Sequence, residues 1–268
     1  LLISCGGSTS DVNDTTLSNS GNYNNTTPNN PTQSYTFNNE LVWSDEFDQD
    51  GPVSQDKWNV ETIPPNNGSW WNGELQFYTD KEDNIRVEEG LLKITAKYES
   101  YEGKNYTSAR INTQDKFEFI YGRVEMRAKL PNWEGMWPAF WLLGANIDEI
   151  GWPNCGELDI LEHGDYVKDS TINDPGLISS AVHYGPQDYS RQTTNVPGKI
   201  FFDTGQARFI RSEKIIEKPF EEYHTYSMQW SPDKIQFFID EELHLEFPMQ
   251  SQHSPFDKPF FLLLNLAV

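Results

Sequence analysis

The sequence of residues 38–268 predicts an all-β sandwich. Its short stretches alternate apolar and polar side chains, which is the pattern of strands with one buried face and one wet face. Turn signals separate these stretches at intervals typical of a sandwich. The sequence has no long stretch with the periodicity of an amphipathic helix, and neither a linker nor a repeat divides the region. We therefore expect one domain.

The individual strands are predicted from this two-residue period. Residues 122–130 place Val124, Met126 and Ala128 on one face, with charged residues on the other. A Ser-Pro-Asp-Lys turn over residues 231–234 separates two further runs and predicts a hairpin. The alternating stretches, in chain order, are 92–97, 122–130, 226–230, 235–239 and 243–247.

One short apolar run carries three carboxylates. Glu157 and Asp159 share a face if the run is a strand, because alternate side chains point the same way. Glu162 is out of phase by one residue. A β-bulge near Ile160 or Leu161 would return Glu162 to the acidic face, and bulges are common beside active sites. The run therefore predicts a bulged strand with three acids on one side.

The spacing of the two glutamates predicts a reaction type. With one residue absorbed by the bulge, Glu157 and Glu162 lie roughly 13 Å apart at their Cα atoms. Side chains that lean together would bring the carboxyls to about 5 Å, which is typical of a retaining rather than an inverting glycosidase. Asp159 would keep charge and protons distributed between them. A cation site and a solvated acidic edge remain alternatives for this motif.

Composition narrows the class of partner. The chain has 41 acidic residues against 20 Lys and Arg, for a net charge of -21. Nucleic acid is excluded as a partner because phosphate binding relies on basic clusters, and sulfated polymers are disfavoured by repulsion. Aromatic residues make up 14% of the chain, with nine Trp, and such rings stack on sugar faces as well as filling cores. A neutral sugar polymer fits best.

The first 37 residues are predicted to lie outside the folded domain. Residues 1–5 resemble the end of a bacterial lipoprotein signal, with Cys5 as the residue that becomes lipidated. Residues 6–37 are rich in Ser, Thr, Asn and Gly and predict a disordered tether. We expect a cell-envelope or surface lipoprotein, or a secreted protein, held to the membrane only through Cys5. No apolar run approaches the length of a membrane span.

Two further segments are candidates for the site. Trp137 and Trp141 share a face with Ala139 if residues 137–141 form a strand, so the indoles fill the core or line a sugar cleft. His183 follows Val182 in another short strand-like run. This histidine is either structural or orients a carboxylate or a sugar hydroxyl.

Several segments together resemble glycoside hydrolase family 16, and within it the bacterial laminarinases. The resemblance covers about residues 40–268 in the family's chain order. The extra residue in the carboxylate motif is the laminarinase-like version, whereas lichenase-like members lack it. The matching runs are residues 41–47, 73–79, 108–111, 121–125, 135–141, 156–162, 182–184 and 224–226.

The resemblance implies a β-jelly-roll sandwich of two antiparallel sheets with a concave substrate cleft. Relatives continue beyond the point where this sequence stops, so the domain is expected to lack its last strand. Residues 196–222 read as an unusually long, charged connection that would wall the cleft.

The resemblance also implies roles for individual residues. Glu157 would be the nucleophile, Glu162 the general acid/base and Asp159 their helper. A structural calcium ion would be held by Glu46 and the carbonyl of Gly90, and catalysis would need no cofactor. The implied substrate-binding residues are Trp137, Trp141, His183, Arg110, Asn72, Glu74 and Trp133.

The expected function is therefore a retaining endo-β-1,3-glucanase that hydrolyses laminarin as a monomer. A mixed-linkage β-1,3-1,4-glucanase and an agar-type galactanase of the same family are alternatives. A non-catalytic β-glucan-binding protein on the same fold is a third, although such proteins tend to lose the catalytic glutamates.

Overall fold

Strands dominate the computed structural model, which describes residues 2–4, 40–164, 174–185, 199–203, 208–249 and 255–268. Residues 2–4, 199–203 and 208 are described by their backbone alone. None of the helices described is long and apolar enough to span a membrane. The predicted tether and Cys5 lie outside the described residues. Residues 2–4 form a strand that pairs with residues 123–125 and 41–44, so the expectation that they lie outside the folded domain is wrong.

The strands follow closely on one another, with one short helix, α1 (Ile147–Ile150), and a 3-10 turn at Pro255–Asp257. In chain order the strands are β1 (Leu2–Ser4), β2 (Leu41–Ser44), β3 (Asn59–Val60), β4 (Gln76–Tyr78), β5 (Ile85–Glu88), β6 (Leu91–Ile94), β7 (Lys97–Tyr101), β8 (Lys104–Ser108), β9 (Arg110–Asn112), β10 (Glu118–Phe119), β11 (Gly122–Ala128), β12 (Trp137–Gly144), β13 (Glu157–His163), β14 (Leu177–Tyr184), β15 (Lys199–Asp203), β16 (Arg208–Ile215), β17 (His224–Trp230), β18 (Lys234–Ile239), β19 (Glu242–Pro248) and β20 (Phe260–Ala267).

Two large antiparallel sheets form the sandwich. One has six strands in the order β19-β18-β17-β11-β1-β2. The other has nine, in the order β15-β16-β14-β13-β12-β20-β9-β3, with β10 paired to β20. A single apolar core contains residues of both sheets, such as Trp230 and Phe237 from the first and Phe140 and Ile160 from the second. The predicted sandwich is confirmed.

Alternation along β12 separates the core from the open face of the nine-stranded sheet. Phe140 and Leu142 are fully buried in the core, whereas Trp137 and Trp141 are only partly buried on the opposite face. Residues paired across neighbouring strands share a face, so the register of this sheet determines which side chains meet on the open side.

The predicted strands at 122–130, 226–230, 235–239 and 243–247 are confirmed. The predicted strand at 92–97 is wrong in its second half, because β6 ends at Ile94 and β7 starts at Lys97 to pair with β8 instead. The loop predicted over residues 196–222 is wrong for its described part. Strands β15 and β16 lie there and extend the nine-stranded sheet beyond β14.

Candidate active site

The acidic run forms β13, the strand between β12 and β14. Against β12, Glu162 pairs with Ala139 and Asp159 pairs with Trp141. The chain therefore advances three residues along β13 for two residues along β12. The register with β14 shifts at the same place. The predicted bulge at Ile160 and Leu161 is therefore confirmed. It brings Glu157, Asp159 and Glu162 to the open face while Ile160 stays in the core.

A buried hydroxyl supports the bulge. Ser180 of β14 is fully buried, and its Oγ donates a hydrogen bond of 2.6 Å to the carbonyl oxygen of Ile160. A bulge interrupts the ladder locally, so the backbone groups of the extra residue need other partners. Ser180 thus satisfies an acceptor at the point where the acidic strand changes phase.

Replacing Ser180 with alanine is expected to lower both stability and activity. The carbonyl of Ile160 would be left buried without this donor, which costs about 1–3 kcal/mol of unfolding free energy. A relaxed bulge would also misplace one glutamate, and kcat would fall by up to about 10²-fold. Chemical denaturation and steady-state kinetics measure the two effects.

Ser231→Ala is the matched control for this change. Ser231 is also buried, and its Oγ donates a hydrogen bond of 3.0 Å to a backbone carbonyl, that of Lys234, in the turn between β17 and β18. We expect a similar loss of stability without a change in kcat. Equal kcat losses in the two variants would show that Ser180 has no special role in positioning the acids.

Each glutamate of the site accepts a hydrogen bond from one indole. Trp152 Nε1 donates to Glu157 Oε2 at 3.0 Å, and Trp137 Nε1 donates to Glu162 Oε1 at 3.1 Å. His183 lies opposite Glu157 on β14. Its Nε2 atom is 3.1 Å from Asp159 Oδ2 and 3.7 Å from Glu157 Oε1. The predicted catalytic residues, Trp137 and His183 thus form one cluster.

Burial makes the carboxyls of this cluster hold their protons more tightly than exposed carboxyls do. Burial, reinforced by the charge of Asp159, raises the pKa of Glu157 to about 8 and that of Glu162 to about 8. Burial also raises the pKa of Asp159 well above its ordinary value. Close carboxyls titrate as a set, so the cluster can hold a carboxylate and a carboxylic acid together. That combination is what a nucleophile and a general acid require.

Trp152 is a site residue that the sequence analysis did not identify. It lies in the loop that leads into β13 and is about half exposed. The hydrogen bond from its indole lowers the pKa of Glu157, against the larger effect of burial. The available signal was an aromatic residue five positions before the acidic run, but a loop has no periodicity to show where a side chain points.

Replacing Trp152 with phenylalanine is expected to shift the pH profile. Without the indole N–H, the pKa of Glu157 rises, so the acidic limb of kcat/KM moves up by about one pH unit. Trp133→Phe serves as the control, because Trp133 is 77% exposed and takes no part in these hydrogen bonds. An unchanged acidic limb in the Trp152 variant would contradict the assigned contact.

Aromatic and polar residues extend the open face on the other side of β12. Trp141 Nε1 donates to Asn265 Oδ1 at 2.8 Å, and the Arg110 guanidinium lies 4.9 Å from the centre of the Trp141 ring. Arg110 Nε in turn donates to Glu61 Oε1 at 3.0 Å. The stacked cation fixes the ring plane of Trp141 beside Asp159. Asn265 and Glu61 were not predicted.

Glu74 joins this network through Tyr78. Its Oε2 atom accepts hydrogen bonds from Gln76 Nε2 at 2.6 Å and from the Tyr78 hydroxyl at 2.9 Å. Asn265 Nδ2 donates to the same hydroxyl at 3.3 Å. Burial raises the pKa of Glu74. The chain of contacts runs from Glu74 through Tyr78 and Asn265 to Trp141.

Two predicted substrate-binding residues are not part of this network. Asn72 is exposed in a loop with a backbone φ of 59°, and Trp133 is exposed in the loop before β12. Neither appears in the hydrogen bonds that connect the carboxylates with Arg110 and Glu74. Their assignment to substrate binding stays a prediction.

The far side of the acidic strand carries an ion pair that the sequence analysis missed. Arg211 and Glu213 of β16 are buried, and Arg211 Nη2 lies 2.8 Å from Glu213 Oε1. The register places Glu213 opposite Ser179, which in turn pairs with Glu162. The positive charge of Arg211 lowers the pKa of Glu162 against the effect of burial. The many charges of residues 196–222 predict a loop, so the sequence does not indicate this strand.

The predicted calcium ligands lie away from the acidic cluster. Glu46 and Gly90 are both exposed, and backbone hydrogen bonds between Gly51 and Val87 join their two segments. A carboxylate and a backbone carbonyl are donors that calcium prefers. Among the described residues, the one group of three potential side-chain ligands is at the acidic cluster. A calcium site at Glu46 and Gly90 would therefore rely on backbone carbonyls.

Comparison with known proteins identifies close relatives. The sequence model of the family described as Beta-porphyranase A-D, GH16 domain, matches residues 37–268. A curated protein of Rhodothermus marinus named Beta-glucanase is 36% identical over 240 residues, which are 85% of this chain and 75% of the relative.

Solved structures agree with this relationship. The structure of LamAcat from Zobellia galactanivorans is 38% identical, has a TM-score of 0.71, and covers 86% of this chain and 88% of its own. The laminarinase from Rhodothermus marinus is 35% identical with a TM-score of 0.70, covering 85% and 86%. A variant of the Zobellia protein was crystallised with laminaritriose and laminaritetraose.

Proposed function

This chain belongs to glycoside hydrolase family 16, and on that premise we propose that it cleaves β-1,3-linked glucan inside the polymer with retention of anomeric configuration. The all-β fold matches that of the family's laminarinases. The observation that carries the proposal is the bulge in β13. It places Glu157 and Glu162 on one face, and both carboxyls have a raised pKa.

The first step uses both glutamates. The Glu157 carboxylate attacks the anomeric carbon and forms a covalent glycosyl ester while the glycosidic C–O bond breaks. Glu162, as the protonated acid, gives its proton to the departing oxygen. The indoles of Trp152 and Trp137 hold the two carboxyls in place from opposite ends of the cluster.

The second step reverses the roles. Glu162, now a carboxylate, takes a proton from water as the oxygen attacks the anomeric carbon from the side that the leaving group vacated. The ester bond to Glu157 breaks and its carboxylate is restored. Asp159 lies between the two glutamates on the same face, and its charge raises the pKa of Glu157. Two inversions give net retention, and no cofactor takes part.

Remote contacts supply binding energy. The Trp141 ring, held by Arg110 and Asn265, offers a flat surface on the same face as Asp159. Sugar rings stack on such surfaces, and the energy gained there can be used to distort the sugar at the reacting carbon. This arrangement suits a chain that extends past the scissile bond in both directions.

A galactan of agar type is the second candidate substrate, because the matching family model is described as a porphyranase domain. Two observations favour glucan. The relatives reported above at 35–38% identity include proteins named beta-glucanase and laminarinase. The net charge of -21 also opposes binding of sulfated galactan.

Parallel digestion of four polymers decides between these substrates. Laminarin, lichenan, agarose and porphyran are incubated with the protein, and products are sized by chromatography. We expect oligosaccharides of several lengths from laminarin at the highest rate. Faster release from lichenan would indicate mixed-linkage glucan, and release from agarose or porphyran alone would replace glucan with galactan. Binding of laminarin without reducing-sugar release would contradict the catalytic proposal.

We propose further that Cys5 is acylated and holds the domain at the bacterial cell envelope, and that the protein acts as a monomer. Residues 1–5 have the pattern of a lipoprotein signal end, and residues 6–37 have the composition of a tether. Labelling with an alkynyl fatty acid, with Cys5→Ser as control, tests the anchor. Analytical ultracentrifugation of the purified chain tests whether the protein is a monomer in solution.

A structural calcium ion at Glu46 and the Gly90 carbonyl is a separate proposal. The donor chemistry of the two exposed segments suits the ion. A melting temperature that rises with calcium in the native chain but not in Glu46→Gln would support it, and identical melting with calcium or chelator would contradict it.

A further inference from the structure

We infer that Glu157, Asp159 and His183 form a binding site for a divalent transition-metal ion of the Zn²⁺ or Cu²⁺ type. An ion held there would block hydrolysis reversibly. The binding site is inferred from geometry alone, whereas the inhibition of hydrolysis also rests on the proposed function.

The three side chains present their donor atoms together. One ligand atom from each residue lies within 4.8 Å of the others. His183 Nε2 is 3.1 Å from Asp159 Oδ2 and 3.7 Å from Glu157 Oε1. Zinc bonds to nitrogen and oxygen are about 2.0–2.2 Å long, so ligand atoms around one ion lie about 3 to 4 Å apart. Small side-chain rotations therefore suffice to coordinate an ion.

Asp159 provides an independent indication of a ligand. Its side chain is 4% exposed, and Oδ2 has no hydrogen bond among the described residues although His183 Nε2 is near. The contact with the imidazole has an ion-pair distance without the alignment of a hydrogen bond. A buried carboxyl oxygen without a hydrogen-bond partner is costly, and a cation bound between it and the imidazole in place of a proton would remove that cost.

The ligand set selects the class of ion. Neutral imidazole favours zinc, copper and nickel, whereas calcium and magnesium prefer a set made only of oxygens. Glu157 and His183 each have nearly a fifth of the side chain exposed, so an ion can enter from the open face. Water would complete the coordination.

Occupation of the site would stop the reaction at its first step. A metal bond to Glu157 Oε1 engages the oxygen that would attack the sugar, and the ion and its waters fill the space beside the anomeric carbon. Substrate and ion would then exclude each other, so inhibition would be competitive and a chelator would reverse it.

Direct titration of the full chain tests the site without reference to activity. Zn²⁺ is titrated by calorimetry in a Cys5→Ser background, which removes the N-terminal thiol as a ligand. We expect one ion per chain, with affinity at least about 10-fold weaker in His183→Ala and in Asp159→Asn. Asp159→Asn keeps the shape of the side chain, and thermal melting verifies that both variants fold.

His224→Ala is the matched control. It removes another histidine–carboxylate pair, in which Nδ1 lies 2.6 Å from Asp240 Oδ2, away from the acidic cluster. Its zinc affinity is expected to equal that of the parent, and Mg²⁺ should give no heat. Equal zinc binding in the parent, His183→Ala and Asp159→Asn would overturn the inference, as would loss of binding in His224→Ala.

Initial rates on laminarin with increasing Zn²⁺ distinguish failure of the metal site from failure of the proposed function. Competitive inhibition that EDTA reverses supports both the metal site and the inhibition of hydrolysis by the bound ion. Site-specific zinc binding with no laminarin hydrolysis in metal-free buffer leaves the site standing and contradicts the proposed function. Hydrolysis without zinc binding at these residues overturns the inference and leaves the function intact.

Discussion

Glu157→Gln is expected to lower kcat on laminarin by at least about 10⁴-fold. The amide keeps the size of the side chain and can still accept from Trp152, but it cannot form the glycosyl ester. The fold should be retained. Burial disfavours the charged form of Glu157 and raises its pKa, so replacing this carboxyl with a neutral amide does not remove a stabilising charge. Steady-state kinetics and a melting curve measure the two results.

A matched control separates this loss from general effects of charge. Glu242→Gln removes a glutamate whose Oε2 pairs with Lys214 Nζ at 2.6 Å outside the acidic cluster, and its kcat should equal that of the parent. Azide adds a second criterion. In Glu157→Gly, azide can enter the space left by the side chain and attack the anomeric carbon, giving a glycosyl azide of inverted configuration. Substantial turnover by Glu157→Gln without any additive would exclude Glu157 as the nucleophile.

Glu162→Ala is expected to show a loss that depends on the leaving group. On laminarin the rate should fall by about 10² to 10⁴-fold, because the departing sugar oxygen needs a proton. An aryl glycoside with a good leaving group does not need that proton, so its first step should remain close to the parental rate. Slow hydrolysis of the ester would then make the intermediate accumulate.

Two readouts identify this behaviour. Stopped-flow absorbance should show a burst of released phenol followed by slow turnover, and mass spectrometry should show a glycosylated protein. Added azide should yield a glycosyl azide of retained configuration, since it replaces water in the second step. An equal loss on laminarin and on the aryl glycoside would contradict the assignment of Glu162 as general acid/base.

The bulge and the acidic face were predictable because a strand has a fixed period. Glu157 and Asp159 are two residues apart, and Glu162 is one residue out of phase, so a single inserted residue was the simplest way to bring three acids together. The register of β13 with β12 confirms this. What was not predictable is the donor at the bulge, because Ser180 reaches Ile160 across a strand pair that only the fold specifies.

Residues on loops and on distant strands escaped the sequence analysis for a related reason. Trp152 contacts Glu157 through the shape of a loop, and Asn265 reaches Trp141 from β20, far along the chain. Alternation within one segment cannot show such contacts. The strand containing Arg211 is not predictable from the sequence, because its many charges indicate a loop, whereas the ion pair with Glu213 allows these two charges to be buried.

The two indoles of β12 show how far a face prediction reaches. Sequence alternation correctly placed Trp137 and Trp141 on one side of the strand. It left core and cleft as alternatives, and the pairing of the same side of β12 with the acids of β13 decides for the open face. The sequence could not predict that the two indoles have different contacts. Trp137 donates a hydrogen bond to Glu162, whereas Trp141 contacts Asn265 and Arg110.

The most direct test is the configuration of the first sugar released. Proton NMR of laminarin during the first minutes of digestion follows the new reducing end before mutarotation mixes the anomers. Two successive displacements at one carbon predict that the β-anomer appears first and the α-anomer follows at the spontaneous rate. Initial appearance of the α-anomer would mean a single displacement by water, and Glu157 would then not be a nucleophile.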